Sequence, residues 1–333
     1  MSRERKRIVH IVGLVLGVLL FVGLLASTDI GQVWRTVRGS GQSFLAALAC
    51  YFSTQVLTSL AWRQVLDGGD RVPFSRLIAV TWAGHAINQL TPGATAGEIA
   101  KASMLDLPGK DRRGLWSSVI TLNLLGTLIG LGWVAIASMT SVIALDLDAS
   151  ITIAISTGAA VTAIVALGLA WLLARGATGT AVGLLGRVPV LCGKRGAWKA
   201  TADEIDRHYR VLRSERKGAL LKAVVCLLAV RILQVAEVCL LTGPLLPSVD
   251  VASLIWSSLF VQAAGQVISW LLVIVPGQLG VAEAGSAASF AILGLDPVVG
   301  LSMELLRRAR KVIGIAVGLV IAAFTTRSAP GDR

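Results

Sequence analysis

Charge is scarce in this chain. Only 15% of its 333 residues are Asp, Glu, Lys or Arg, where a soluble domain carries about 25%. That excludes an ordinary soluble globular protein. Histidine is scarcer still, with three scattered copies, and the four cysteines form no C-x-x-C pair, so no metal cluster or cofactor is expected. Cys50, Cys226 and Cys239 fall inside apolar segments, where thiols act as small hydrophobes. No P-loop, G-x-S-x-G or H-E-x-x-H phrase occurs, so neither a nucleotide-driven pump nor a familiar hydrolase is expected.

What the chain has is apolar length. Hydrophobic residues make up 55% of it, and several runs reach the roughly 20 residues a helix needs to cross a bilayer. The expected fold class is all-α, a polytopic membrane protein. The formal charge of +12 does not indicate nucleic acid as a partner, because Lys and Arg cluster between apolar runs. Retention of basic residues on the cytoplasmic side is the simpler cause.

That rule orients the chain. The apolar run 8–26 follows a basic N-terminus and is longer than a signal-peptide core, so it reads as a first helix with its N-terminus inside. Further spans are expected over 43–66, 115–139, 151–174, 219–242 and 298–324, the last returning to a cytoplasmic tail. The basic stretch 175–222 is cytoplasmic. Within it Trp198, Ile205, Tyr209 and Leu212 share one helical face. Two readings fit that face: a helix lying on the anionic inner leaflet, or a solvated helix packed on neighbouring loops.

Two phrases interrupt the apolar sequence. TPGATAGEIAKASML covers 91–105 and VPGQLGVAEAGSAASF covers 275–290. Each has Pro-Gly, a Gly a few residues on, a Glu, and then small and apolar residues. The first is entered from the short run 77–90 and left through 98–107, with basic residues on both flanks. The second is entered from 253–275 and left through 284–295, between Asp250 and Asp296. The spacing predicts two re-entrant helical hairpins dipping in from opposite faces. The whole is expected to hold about six full spans plus these hairpins as an inverted repeat, the pattern of many transporters. It forms one transmembrane domain over 1–333, with half 1 at about 43–140 and half 2 at about 219–326.

Proline removes a backbone donor and glycine loosens the chain, so each phrase stops a helix. Non-helical backbone at membrane depth survives only inside protein or beside a wet cavity. Short helices starting near Gly97 and Gly280 would turn their N-termini toward such a cavity, where N–H groups attract an anion such as a lipid phosphate. Glu98 and Glu283 open these helices. For Glu98 a capping box with Thr95 competes with any functional role. Glu283 has Gly280 at the matching position, which leaves half of that explanation. Buried carboxylates also serve as proton carriers or contact cationic head groups.

Other charges fall at membrane depth. Arg231 and Glu237 lie six residues apart on different faces of one span, so each needs a partner elsewhere. In the last helix Glu304 can pair with Arg307 or Arg308. Each charge costs about 2.5–3.5 kcal/mol at a helix centre on insertion scales, which favours a watered interior. Arg310 and Lys311 fit snorkelling, or a helix that ends earlier. His85, Asn88, Gln89 and Gln278 lie near the phrases and suit interhelical hydrogen bonding more than ligand contact. Asp146 and Asp148 form an acid-x-acid pair on an outer loop, the arrangement a metal-assisted lipid transferase would use.

The phrases also carry a resemblance. Pro92-Gly93, Gly97-Glu98 and Lys101, then Pro276-Gly277-x-x-Gly280-x-x-Glu283, resemble the flippase-like integral-membrane family. That family includes the N-terminal membrane region of bacterial lysylphosphatidylglycerol synthetase/flippase. Ala61-Trp62-Arg63 and the Arg307/Arg308 pair are similar too, and the likeness covers nearly the whole chain. It implies a protein that moves or presents amphipathic lipids, such as aminoacylated phosphatidylglycerol or glycolipids. The family often has Arg before the second Glu, where this chain has Ala282. No soluble aminoacyl-transferring domain follows the last helix, so attachment of lysine to lipid is not expected.

The function expected is therefore flippase- or scramblase-like movement of a phospholipid or glycolipid between leaflets of a bacterial inner membrane, and not an enzyme activity. Residues and resemblance together give the substrate-contacting set Arg63, Pro92, Gly93, Gly97, Glu98, Lys101, Arg231, Pro276, Gly277, Gly280, Glu283, Arg307 and Arg308. The expected partners are membrane lipids with anionic or zwitterionic head groups; a homo-oligomer or a lipid-modifying enzyme is left open. Two alternatives stand beside it. One is a membrane-embedded transferase using Asp146 and Asp148; the other is a non-transporting partner that recruits an enzyme through 175–222.

Overall fold

A computed structural model describes residues 30–91, 96–105, 112–145, 147–176, 195–271 and 280–327. The expected helix over 8–26 and the pairs Pro92-Gly93 and Pro276-Gly277 lie outside the described residues. Ten α-helices occur among those described. They are α1 (Ile30–Val65), α2 (Phe74–Leu90), α3 (Ala96–Met104), α4 (Arg112–Ala144) and α5 (Ala149–Arg175). α6 (Arg195–Ser214), α7 (Lys217–Thr242), α8 (Val251–Leu271), α9 (Val281–Ile292) and α10 (Pro297–Arg327) complete the chain. The protein is all-helical and multi-pass.

The helix ends follow local chemistry. α1 is interrupted at Gly41, whose φ of 48° no helix accommodates. α5 stops at Gly176 in the left-handed region, where the Gly176 N–H returns to the carbonyls of Leu172 and Leu173, a glycine C-terminal stop. α10 begins on Pro297, a residue suited to the first helical turn.

Five stretches among the described helices are long and apolar enough to cross a membrane: Arg38–Val65, Gly114–Ala144, Ala149–Arg175, Lys217–Leu245 and Val251–Leu271. Two helices bear on the sequence expectation. The 21 residues of α8 reach about 31 Å at 1.5 Å per residue, so the first arm of the second phrase has the length of a span by itself. α10 is longer, with 31 residues, but Glu304, Arg307, Arg308, Arg310 and Lys311 interrupt its apolar character.

α1 and α7 run side by side in opposite directions. At one end Val65 clusters with Ala223; at the other, Phe44 and Ala47 cluster with Val238 and Leu241. These clusters mark the two ends of the bundle. Leu77 at the start of α2 and Leu105 just past α3 share the first cluster. Phe260, in the middle of α8, and Phe290 on α9 share the second.

The pairs also cross over. α2 packs on α10, while α8 packs on α4. Small residues permit these approaches: a Cβ on Gly318 would sit 2.9 Å from the Trp82 carbonyl oxygen, and Trp82 Nε1 donates to the Gly314 carbonyl at 3.0 Å. Within the first hairpin, Gly84 and Gly97 face each other so closely that a Cβ on either would strike the other's carbonyl oxygen.

α6 decides between the two readings of the amphipathic stretch. Ile205 and Leu212 are buried, and Leu212 joins Leu66, Leu115 and Ala223 at the end of α1, α4 and α7. His208 Nε2 lies 3.1 Å from the Val65 carbonyl oxygen, and Arg216 donates to the Gln64 carbonyl at 3.0 Å. The apolar face is turned into protein. The Trp198 side chain lies outside the described residues.

Candidate functional site

Between the two end clusters lies a polar cavity of about 460 Å³. His85, Asn88, Gln89 and Thr91 reach it from the last turns of α2, and Gln266, Ser269 and Trp270 from the last turns of α8. Ser286 enters from α9, Gln234 and Glu237 from the middle of α7, and Glu304, Arg307, Arg310 and Lys311 from α10. The C-terminal turns of α2 and α8 thus meet charged stretches of α7 and α10.

Ion pairs organise the α10 side. Glu237 is 1% exposed. Its Oε2 lies 2.6 Å from Arg310 and its Oε1 3.7 Å from Arg307. Arg307 also stands 3.6 Å from Glu304, which accepts a hydrogen bond from Ser286 at 3.2 Å. The Arg310 guanidinium lies 4.3 Å from the centre of the Tyr51 ring, a cation–π contact. Buried charges are tolerated when paired and hydrogen-bonded; this network pairs its charges, while Glu237 Oε1 and the Nε atoms of Arg307 and Arg310 are buried without a hydrogen bond. Lys311, one residue on, lines the same cavity and has no carboxylate within salt-bridge distance among the described residues.

Amides organise the α8 side. Arg231 donates to Gln266 at 2.8 Å, to Gln234 at 3.1 Å and to the Gly126 carbonyl at 3.2 Å. Gln262 donates to Gln234 at 3.2 Å and accepts from Trp133 Nε1 at 3.2 Å. A Cβ on Gly130 would stand 2.8 Å from Arg231 Nη2, so the glycine gives the guanidinium room.

The hairpin glutamates sit behind the cavity wall, outside its lining. Glu98 Oε1 accepts from Asn88 at 2.8 Å and from Lys101 at 2.8 Å. Asn88 Oδ1 in turn accepts from the Gly97 N–H at 2.6 Å. The start of α3 is therefore satisfied by α2, not by Glu98; Thr95, the other half of the expected capping box, lies outside the described residues. Glu283 pairs through Oε1 with Arg308. In both glutamates the second carboxylate oxygen is buried without a hydrogen-bond partner.

The residues singled out from sequence fall in three places. Arg307 lines the cavity. Gly97, Glu98, Lys101, Arg231, Glu283 and Arg308 support its walls, and Gly280 (φ 78°) starts α9. Arg63 stands apart, its guanidinium 5.9 Å from the Phe74 ring at the α1–α2 corner. Pro92, Gly93, Pro276, Gly277 and Gln278 are outside the described residues. Of the two partners open to Glu304, the structure takes Arg307. Arg310 and Lys311, read as snorkelling, line the cavity. Gln234, Gln262 and Gln266 were not singled out, since an amide inside an apolar helix carries no signal of what it faces. Asp148 is exposed before α5; Asp146 is outside the described residues.

Comparison with known proteins adds a family. The family described as the lysylphosphatidylglycerol synthase TM region matches residues 10–318. A UPF0104 membrane protein of Methanothermobacter thermautotrophicus is 31% identical over 106 residues, which are 31% of this chain and 30% of that relative. The chain thus spans under a third of the relative it matches. No solved structure matches. On a match that runs from the first apolar segment to the middle of α10 and beyond, the chain belongs to the lysylphosphatidylglycerol synthase transmembrane-region family.

Proposed function

We propose that this protein moves an amphipathic lipid, a phospholipid or glycolipid, between membrane leaflets. The carrying observation is the cavity itself: its described lining places Arg307, Arg310 and Lys311 against Glu237 and Glu304. An excess of positive charge at membrane depth favours an anionic or zwitterionic head group whose phosphate approaches the α10 cations, while acyl chains stay in lipid. The amides of Gln234, Gln262 and Gln266 supply donors and acceptors that water gives elsewhere. Glu98 and Glu283, each with one unpartnered oxygen, suit proton coupling. No bond is made or broken in this reading.

Several features support two inverted halves. α1 to α4 correspond in order to α7 to α10, and the packing of α2 on α10 is mirrored by that of α8 on α4. Residues of α2 join the first end cluster and residues of α8 and α9 the second, which supports re-entrant segments of opposite hand. Positive charge gathers at the end holding Arg63, Arg71 and Arg76 and the start of α7, which supports reading that end as cytoplasmic and, with it, cytoplasmic termini in a bacterial inner membrane.

The test is leaflet exchange of fluorescent phosphatidylglycerol in protein-bearing vesicles. Wild type should exceed protein-free vesicles, and Glu98→Gln with Glu283→Gln should slow exchange. Ala282→Phe, which fills the cavity beside α9, should abolish it. Exchange no faster than in protein-free vesicles, for anionic, zwitterionic and lysylated lipid alike, would sink the reading.

A further inference from the structure

A second site lies away from the cavity, where α5 ends and α6 crosses it. A pocket of about 310 Å³ is lined there by Arg175, Arg210, Arg213 and Lys217, with Tyr209 and Asp206. Four cations meet one carboxylate. Arg213 uses one nitrogen on the Ala174 carbonyl, at 2.7 Å, and so caps the carbonyl end of α5. Arg210 and Lys217 have no ion pair among the described residues.

The pocket opens beside lipid-facing surface. α5 is the least buried of the five candidate spans, with 11% of its apolar window inside the protein. Val161, Ile164, Leu167 and Trp171 are exposed on it and fall on one side of the helix at 100° per residue, as does Arg175. Arg175 lies 4.5 Å from the Trp171 ring, joining the apolar strip to the cationic pocket. Aromatic and basic residues at a span's end mark the water–lipid boundary.

We propose that this pocket binds the phosphate of an anionic phospholipid, whose acyl chains lie along the Val161–Trp171 strip of α5. Arg210 and Lys217 hold the phosphate oxygens by charge-assisted hydrogen bonds, and Arg175 fixes the glycerol-proximal side. The same ligand ties α6 to the end of α5, since both helices supply its contacts. A free phosphate shares the charge chemistry but not the apolar strip, so the lipid is the occupant assigned.

Full-length protein purified in neutral detergent tests this by native mass spectrometry, with short-chain phosphatidylglycerol, phosphatidylcholine of equal chain length, or inorganic phosphate added. One phosphatidylglycerol should be retained in preference to phosphatidylcholine. Arg210→Gln with Lys217→Gln should weaken that retention about thirtyfold, from roughly one unit of membrane attraction per basic residue. Arg207→Gln should not, because Arg207 is exposed and already paired with Glu204 at 3.0 Å. An unchanged melting point in phosphatidylcholine certifies that the double variant folds. Equal retention by the double variant would overturn the proposal; displacement of the lipid by inorganic phosphate at equal concentration would overturn the lipid as occupant. Retention is read without transport, so the result is independent of the cavity's function.

Discussion

Glu237 shows how one buried side chain holds three helices. It sits on α7, faces Arg307 and Arg310 on α10, and through Arg310 reaches Tyr51 on α1. Removing one partner of a buried pair strands the other, typically at about 3–5 kcal/mol. Glu237→Gln should therefore lower stability by that order, seen as a marked fall in melting temperature in detergent. Glu204→Gln, which breaks an ion pair with the exposed Arg207, should cost under about 1 kcal/mol. Equal effects would mean that Glu237 is not the junction described. Sequence alone showed that Glu237 and Arg231 could not pair with each other. It could not show that one would find arginines 70 and more residues on and the other a glutamine on α8, because helix-to-helix register is a tertiary property.

At the scale of elements, the breaks were legible and the faces were not. Gly280 marks the start of α9, and from sequence the runs beside each Pro-Gly phrase read as hairpin arms. α8 blurred this, since its length equals that of a span. α6 was open between lipid and protein because Ile205, Tyr209 and Leu212 are apolar toward either. Its docking includes a titratable contact. Burial lowers the His208 imidazole below its ordinary range, a shift opposed by the Val65 carbonyl and by Asp67 and Glu204, and assisted by Arg216. The docked state thus favours the neutral ring. Its contribution is full above the unfolded imidazole value, near 6.5, and is lost as pH falls below that toward the lowered folded value. Amide exchange in α6 should accelerate on acidification through this window, and His208→Gln should flatten the response. Exchange in α6 that is independent of pH after correction for intrinsic rates would refute it.

At the scale of the molecule, the two ends of the bundle give the sharpest test. Asp250 precedes α8 and Asp296 precedes α10; the proposed re-entrant α8–α9 pair requires both to lie on one side. With the four native cysteines replaced, Asp250→Cys and Asp296→Cys should react from the same side with an impermeant maleimide, and Asp67→Cys and Arg175→Cys from the other. Labelling of Asp250→Cys and Asp296→Cys from opposite sides would make α8 a complete crossing and dissolve the hairpin. The charged middle of α10 carries one more consequence, for biogenesis. This helix is synthesised after α7 and is poorly suited to partition into lipid by itself, whereas its countercharge, Glu237, resides on that earlier helix. Its integration must then wait on a partly assembled bundle, so a ribosome-bound chain should retain α10 near the translocon until α7 is in place to receive it.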